Sequence, residues 1–280
     1  MLAKKTIEFI LFGSIFIACC AVGLCIETNL LLHVSLNGIS FYCFVFGATL
    51  AQYNLHYLVK VKAVNHSRRL AWSLINRRVH VCLVITGSIL IVVSLFSFHL
   101  HHFIFLLFLG VIAFIYSFPV LPFTQKKRLK DFGFIKITTL AFLWTLVTVW
   151  FPVDQLNFNS TSFQLIFLRR FIFMFILCLL FDIRDVEVDG SESIHTLPVL
   201  MGIRTCYILC YLLLTLFVVL TFIQFFYLPE TGALYAMLAS ACSIFLTIRY
   251  TRKNNSDFVY LLCVDGMMLL QAILVILTSI

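Results

Sequence analysis

The sequence predicts an all-α polytopic membrane protein, a bundle of nine transmembrane helices, and three observations carry that reading. The 280 residues are 62% hydrophobic and 11% charged, with a mean hydropathy of +1.07. Apolar runs of about 20 residues recur without strand-like alternation, and a backbone crossing hydrocarbon in such runs closes its hydrogen bonds as a helix. The basic residues then fall on alternate inter-span connections, as the sidedness of a multi-pass protein requires. The whole chain, 1–280, reads as a single transmembrane domain.

The spans are predicted at 7–26, 36–58, 79–98, 101–118, 133–152, 162–181, 203–222, 231–249 and 257–279. Span one carries Glu8 at its start and no charged residue beyond it, with Glu27 and His33 expected on a short outer turn. Span two runs into Asn54 and His56, and the basic connection Val61 to Arg78 is expected at the membrane surface. Spans three and four meet at His99, His101 and His102, which read as interfacial histidines. Span four closes at Pro119 and Pro122, where the missing amide hydrogens end a helix. Spans seven and eight carry no chemistry. With the N-terminus cytoplasmic, 18 of the 20 Lys and Arg face the cytoplasm, and so does the acidic stretch after span six. Only Arg169 and Arg170 fall elsewhere.

The net charge of +8 has this topological cause and suits anionic headgroups or a diphosphate. It does not point to nucleic acid, because the basic residues lie in short connections rather than along one free face. The ten cysteines lie mostly within spans, show no C-x-x-C, and read as small packing residues.

One stretch stands out, Phe181 to Gly202. It holds five of the twelve acidic residues: Asp182, Asp185, Glu187, Asp189 and Glu192. Asp182, Asp185 and Asp189 are spaced i, i+3, i+7, which on a helix places them within about 60° of one another. Glu187 points to the other side. Three oxygen ligands on one face, beside a membrane span, suit Mg²⁺ that keeps waters and bridges to a substrate phosphate. A solvated acidic helix end is the plainer reading of the same residues.

The stretch continues His195-Thr196-Leu197-Pro198-Val199 and then Gly202, and as a whole it resembles the second aspartate-rich motif of the UbiA superfamily of intramembrane prenyltransferases. That motif is a D-x-x-D-x-x-x-D helix end followed by a basic residue, T-L-P-V and a glycine; His195 stands at the basic position. Tyr116-Ser117-Phe118-Pro119 followed by Arg128-Leu129-Lys130 is similar to a second family feature, Y-S-x-P with R-L-K. The resemblance implies a UbiA-like bundle around a central cavity. It also implies transfer of a prenyl group from a prenyl diphosphate to a lipid-soluble acceptor, often an aromatic ring. It assigns Mg²⁺–diphosphate coordination to Asp182, Asp185 and Asp189. Substrate contacts fall to Asn54, Lys62, Tyr116, Lys126, Lys127, Arg128 and His195.

The sequence departs from the family at the first motif, roughly N-D-x-x-D-x-x-x-D. Setting its asparagine on Asn54 places Leu55, Leu58 and Lys62 where the three aspartates belong. A wall of Asn54, His56 and Lys62 cannot form a carboxylate cage, although a lysine can meet a diphosphate as a point charge. Two readings therefore stand: a prenyltransferase working from one aspartate wall, or a degenerate member that binds a polyprenyl lipid without turnover. A third, a transporter, rests only on the charges inside spans. Arg169 and Arg170 must lie within span six, and by depth they are expected to pair with Asp265 in span nine.

Overall fold

The computed structural model describes residues 2–59, 68–117, 133–153, 160–191 and 194–279. Every regular element longer than one residue among them is helical. In chain order these are α1 (Leu2–Phe12), α2 (Ile15–Leu31), α3 (Ile39–Val59), α4 (Arg68–Ile75), α5 (Arg77–Leu95), α6 (Leu100–Ser117) and α7 (Gly133–Thr145). They are followed by α8 (Thr161–Arg184), α9 (Val186–Ser191), α10 (Leu197–Met201), α11 (Ile203–Tyr227), α12 (Thr231–Thr251), α13 (Asp257–Val259) and α14 (Gly266–Ser279). Among the described residues each predicted span overlaps a helix or a run of helices. Among the described residues five helical runs are long and apolar enough to cross a bilayer, and α1 with α2, bent by 60°, make a sixth if the pair is one broken span. Helices α3 and α8 are of spanning length, and polar side chains buried inside the bundle, Asn54 on α3 and Arg169, Arg170 and Asp182 on α8, dilute their apolar character.

The core is built on α8, whose Phe173, Ile176, Leu179 and Leu180 are fully buried against α7 and α11. Helix α3 lies along α5 through two glycines. A methyl on Gly47 would come within 2.8 Å of the Gly87 carbonyl oxygen, and one on Gly87 within 2.6 Å of that of Gly47. Small residues of this kind let two helices approach in a lipid setting, where van der Waals contact rather than water release drives association.

Two spans carry a wide turn of π-helix, at Leu146–Trp150 after α7 and Tyr260–Val264 between α13 and α14. A π-turn offsets the hydrogen-bond ladder and frees carbonyls that need other donors. At the first, Thr28 Oγ1 donates to the Thr148 oxygen at 2.6 Å and Cys25 Sγ lies 3.6 Å from the Val147 oxygen.

Three expectations are corrected here. Glu27 is not on an outer turn; it is the buried thirteenth residue of α2. Arg170 does not pair with Asp265: its Nη2 lies 2.8 Å from Glu27 Oε1, and Arg169 Nη1 donates to Gln224 Oε1 at 2.5 Å. Both arginines therefore find partners on α2 and α11. The connection between α3 and α5 is helical in its second half, where α4 runs, and Arg77 and Arg78 already belong to α5.

Candidate functional site

The aspartate stretch begins at the end of α8. The Asp185 amide still donates to the Phe181 oxygen at 3.1 Å, and Asp189 to the Asp185 oxygen at 2.9 Å, so the helical path continues. Asp185 itself, at φ −90° and ψ 6°, leaves helical geometry. That local unwinding decides where the carboxylates point.

Asp182 and Asp189 are buried and converge on one cation. Lys136 Nζ, on the first turn of α7, donates to Asp182 Oδ1 at 2.9 Å and lies 3.6 Å from Asp189 Oδ2. Burial raises the Asp189 carboxyl above the usual carboxylate range, against the lowering pull of the Lys136 ammonium. Asp185 is not brought to this pair. It is bound at both oxygens by Arg184, Nε to Oδ1 at 2.8 Å and Nη2 to Oδ2 at 3.1 Å. Glu187 is exposed, as its helical position predicts.

Lys136 is aimed by the chain three residues before it. Gly133 packs so closely on the segment before α10 that a Cβ there would lie 1.8 Å from the His195 carbonyl oxygen and 2.4 Å from the Thr196 Cα. The T-L-P segment is thus a seat for the start of α7. Its Pro198 stands in the first turn of α10, where a missing amide hydrogen costs nothing. His195 contributes its backbone to this seat, and its side chain is exposed.

A second polar group sits beside the first. Arg184 also reaches Asp257 Oδ1 at 3.5 Å and lies over the rings of Phe181 and Tyr260. Asp257 Oδ2 accepts the Arg69 amide at 3.0 Å, joining α4 to the start of the last span. The Arg69 guanidinium lies over the Tyr57 ring at 4.4 Å and donates to Ser14 Oγ at 2.9 Å, at the bend between α1 and α2. The face of α3 turned to this interior is Tyr53 and Tyr57. Tyr53 packs edge-on against Trp144 and lies within electrostatic reach of Asp265 and Arg69.

The other predicted site residues fall differently. Asn54 is fully buried and taken up by protein: its Nδ2 donates to the oxygens of Gly13 at 3.0 Å and Leu50 at 2.8 Å, and its Oδ1 lies 2.6 Å from His80 Nδ1. The asparagine pins the α1–α2 bend instead of facing Asp182. Leu55, in the register that Asn54 sets, is exposed on the outside. Lys62, Lys126, Lys127 and Arg128 lie outside the described residues, and Tyr116 is placed by backbone alone within α6.

Sequence reasoning missed Lys136, Arg69, Arg184 and the Tyr53–Tyr57 face as parts of one interior. Two signals were available. Tyr53 and Tyr57 are four apart in an apolar span, hence on one face, and Lys136 follows a glycine by three residues at the start of another.

Among the described residues no three His, Cys, Asp or Glu side chains are grouped to hold a metal. Two carboxylate oxygens do fit a cation. Among the described residues Asp182 Oδ2 and Asp189 Oδ2 are buried without a hydrogen bond, the latter 3.6 Å from the Lys136 ammonium, and Mg²⁺ is commonly held by one or two carboxylates with waters and substrate phosphate completing its shell.

The fold and site define a helical integral membrane protein with a buried acidic pair closed by a lysine at one end of its bundle. The family model of the UbiA prenyltransferase family matches residues 62–261, and the chain belongs to that family. The matched stretch starts beyond Asn54, Leu55 and Leu58. Two solved structures share the fold at 14% identity and a TM-score of 0.59. One is described as concerning digeranylgeranylglyceryl phosphate synthase in membranes, with 99% of each chain covered. The other is a UbiA homolog from Archaeoglobus fulgidus bound to GPP and Mg²⁺, with 97% of this chain and 99% of that chain covered. No curated protein sequence matches.

Proposed function

We propose that this chain transfers a prenyl group from a prenyl diphosphate to a lipid-soluble acceptor, working from one aspartate wall. The observation that carries the proposal is the Asp182–Lys136–Asp189 cluster, two buried carboxylates and one ammonium inside a bundle of the UbiA prenyltransferase family. The Archaeoglobus homolog with GPP and Mg²⁺ supports this ligand class.

Asp182 and Asp189 would hold Mg²⁺ through Asp182 Oδ2, which carries no hydrogen bond, and Asp189 Oδ2, which also faces the Lys136 ammonium at 3.6 Å, and the ion would neutralise charge on the departing diphosphate. Lys136 keeps the two carboxylates together and offers a fixed positive charge where a second carboxylate wall is absent. Arg69 and Arg184 add cationic charge beside it, each held by its own partner. Asp185, bound to Arg184, sets the direction of that guanidinium. Tyr53 is the ring we assign to an allylic cation, since ring faces attract cations and the Tyr57 ring is already taken by Arg69 at 4.4 Å and by a stacked His80. Lys62, Lys126, Lys127 and Arg128 are proposed as further diphosphate contacts from the sequence. We place the N-terminus and the aspartate stretch on the cytoplasmic side, on the strength of the charge distribution.

The test uses purified protein in nanodiscs with radiolabelled prenyl diphosphates of several lengths, with Mg²⁺ or with chelator, following binding and diphosphate release. The expected result is Mg²⁺-dependent release that falls at least 100-fold in Asp182→Asn. Binding without release would overturn the transferase reading in favour of a lipid-binding protein, the outcome that Leu55, Leu58 and Lys62 in place of aspartates would then explain.

A further inference from the structure

Asp265 is a buried carboxylate to which the described residues supply no hydrogen bond or ion pair. It is 5% exposed. Among the described residues its side chain makes no hydrogen bond and no ion pair, while its backbone oxygen receives the Cys20 thiol at 3.6 Å. The arginines expected to neutralise it are bound to Glu27 and Gln224. Arg184 and Arg69 are within electrostatic reach, yet their close contacts are to Asp185, Asp257 and Ser14. An unpartnered buried polar group costs about 1–3 kcal/mol, and packing alone gives no reason to keep one.

The backbone aims this carboxylate. Asp265 follows the π-turn Tyr260–Val264, and its amide donates to the Tyr260 oxygen at 3.0 Å, a five-residue step. One extra residue in a turn rotates everything after it by about 100° relative to a continuous α-helix. Without it, Asp265 would sit on another face of the span. Asp265 lies near enough to Cys178 on α8 and Tyr53 on α3 for its charge to be felt at both, and Cys178 feels Asp182 and Lys136 as well. Counting from Asp257 at 1.5 Å per residue puts Asp265 about 12 Å deeper in the bundle. Counted along α8, Cys178 lies four residues, about 6 Å, deeper than Asp182.

We infer that Asp265 binds the hydroxyl group of the acceptor and takes its proton during transfer; this rests on the prenyltransferase reading above. In the step, the allylic C–O bond of the donor breaks and the electron pair leaves with the diphosphate. The acceptor's hydroxyl oxygen forms the new bond to that carbon, and the hydroxyl proton passes to an Asp265 oxygen. A carboxylate accepts a hydrogen bond and is a general base of ordinary type, a role worth about 10²–10⁴ in rate. The unpartnered oxygens are then the empty half of a hydrogen bond that the acceptor completes.

The test measures a partition. Protein in nanodiscs receives radiolabelled prenyl diphosphate and either 4-octylphenol or 1-dodecanol, each beside its methyl ether, and prenylated product is counted against prenyl alcohol formed by water. In Asp265→Asn the ratio of transfer to hydrolysis is expected to fall about 100-fold, and in Asp265→Glu by less. The ratio is independent of the folded fraction. As a second readout, the hydroxylated probe is expected to raise the wild-type Tm more than its methyl ether, a preference that Asp265→Leu removes. An unchanged ratio overturns this inference alone. So does a hydroxylated probe that is neither prenylated nor more stabilising than its ether. Failure of the wild type to release diphosphate from any donor overturns the prenyltransferase reading, and this inference with it.

Discussion

Arg170 Nη2 and Glu27 Oε1 stand 2.8 Å apart with both side chains almost wholly buried, tying the core helix α8 to α2. Arg169, the next residue, shares the neighbourhood and leans on Gln224. Glu27 thus pairs with one buried guanidinium and feels the charge of a second. Removing one member of a buried pair costs more than the pair contributes, because the survivor keeps its desolvation penalty. Glu27→Gln is expected to destabilise the protein by about 3–5 kcal/mol, read as a large fall in Tm in detergent. The double change Glu27→Gln with Arg170→Met removes the stranded charge and is expected to recover more than half of that loss. A double variant less stable than Glu27→Gln would show that Arg170 is held by something other than Glu27.

Gly133 and the His195 carbonyl form the seat that directs Lys136, and the seat has no room for a methyl. Both atoms facing the missing Cβ are backbone, so a side chain cannot swing aside to make space. Gly133→Ala is expected to lower Tm and to reduce Mg²⁺-dependent diphosphate release at least tenfold, with Lys136 itself intact. Gly110→Ala is the control, since nothing lies within 4 Å of a Cβ there. It is expected to be neutral or slightly stabilising, as alanine is the better helix former. Equal effects of the two changes would sink the idea that the T-L-P segment positions α7.

The helices were legible because hydrocarbon leaves the backbone few options. Runs of about 20 apolar residues set the predicted spans, and among the described residues these overlap helices. The acidic stretch was legible as well, because five carboxylates in a chain this apolar demand an account. What the sequence hid was direction. Equal spacing put Asp185 with Asp182 and Asp189, but a residue that leaves helical geometry at φ −90°, ψ 6° turns its side chain to Arg184. The π-turn before Asp265 is invisible to a 3.6-residue period, and depth counting therefore matched Asp265 with the wrong helix. Glu27 was lost for a simpler reason. A charge at the edge of an apolar run looks like a loop residue until a partner on another helix is seen. Asn54 illustrates the limit of motif register: its amide satisfies the Gly13 carbonyl at a helix bend, a requirement set by tertiary structure.

Lys136 separates two buried carboxylates, and its removal predicts a dependence on divalent cation that can be read without turnover. In Lys136→Met the methionine keeps the length of the side chain and loses the charge. Asp182 and Asp189 are then left facing each other, each with an oxygen already lacking a hydrogen bond. The expected loss is about 3–5 kcal/mol in chelator. Mg²⁺ binds the folded state and not the unfolded one, so it stabilises by mass action. Adding 10 mM Mg²⁺ is expected to return much of the lost Tm in Lys136→Met, and to raise the wild-type Tm by a smaller amount. The double variant Lys136→Met with Asp182→Asn relieves the repulsion and should lose the Mg²⁺ response. A Lys136→Met protein equally stable in chelator and in Mg²⁺ would mean that the pair does not receive a cation, and would remove the carboxylate wall from the proposed chemistry.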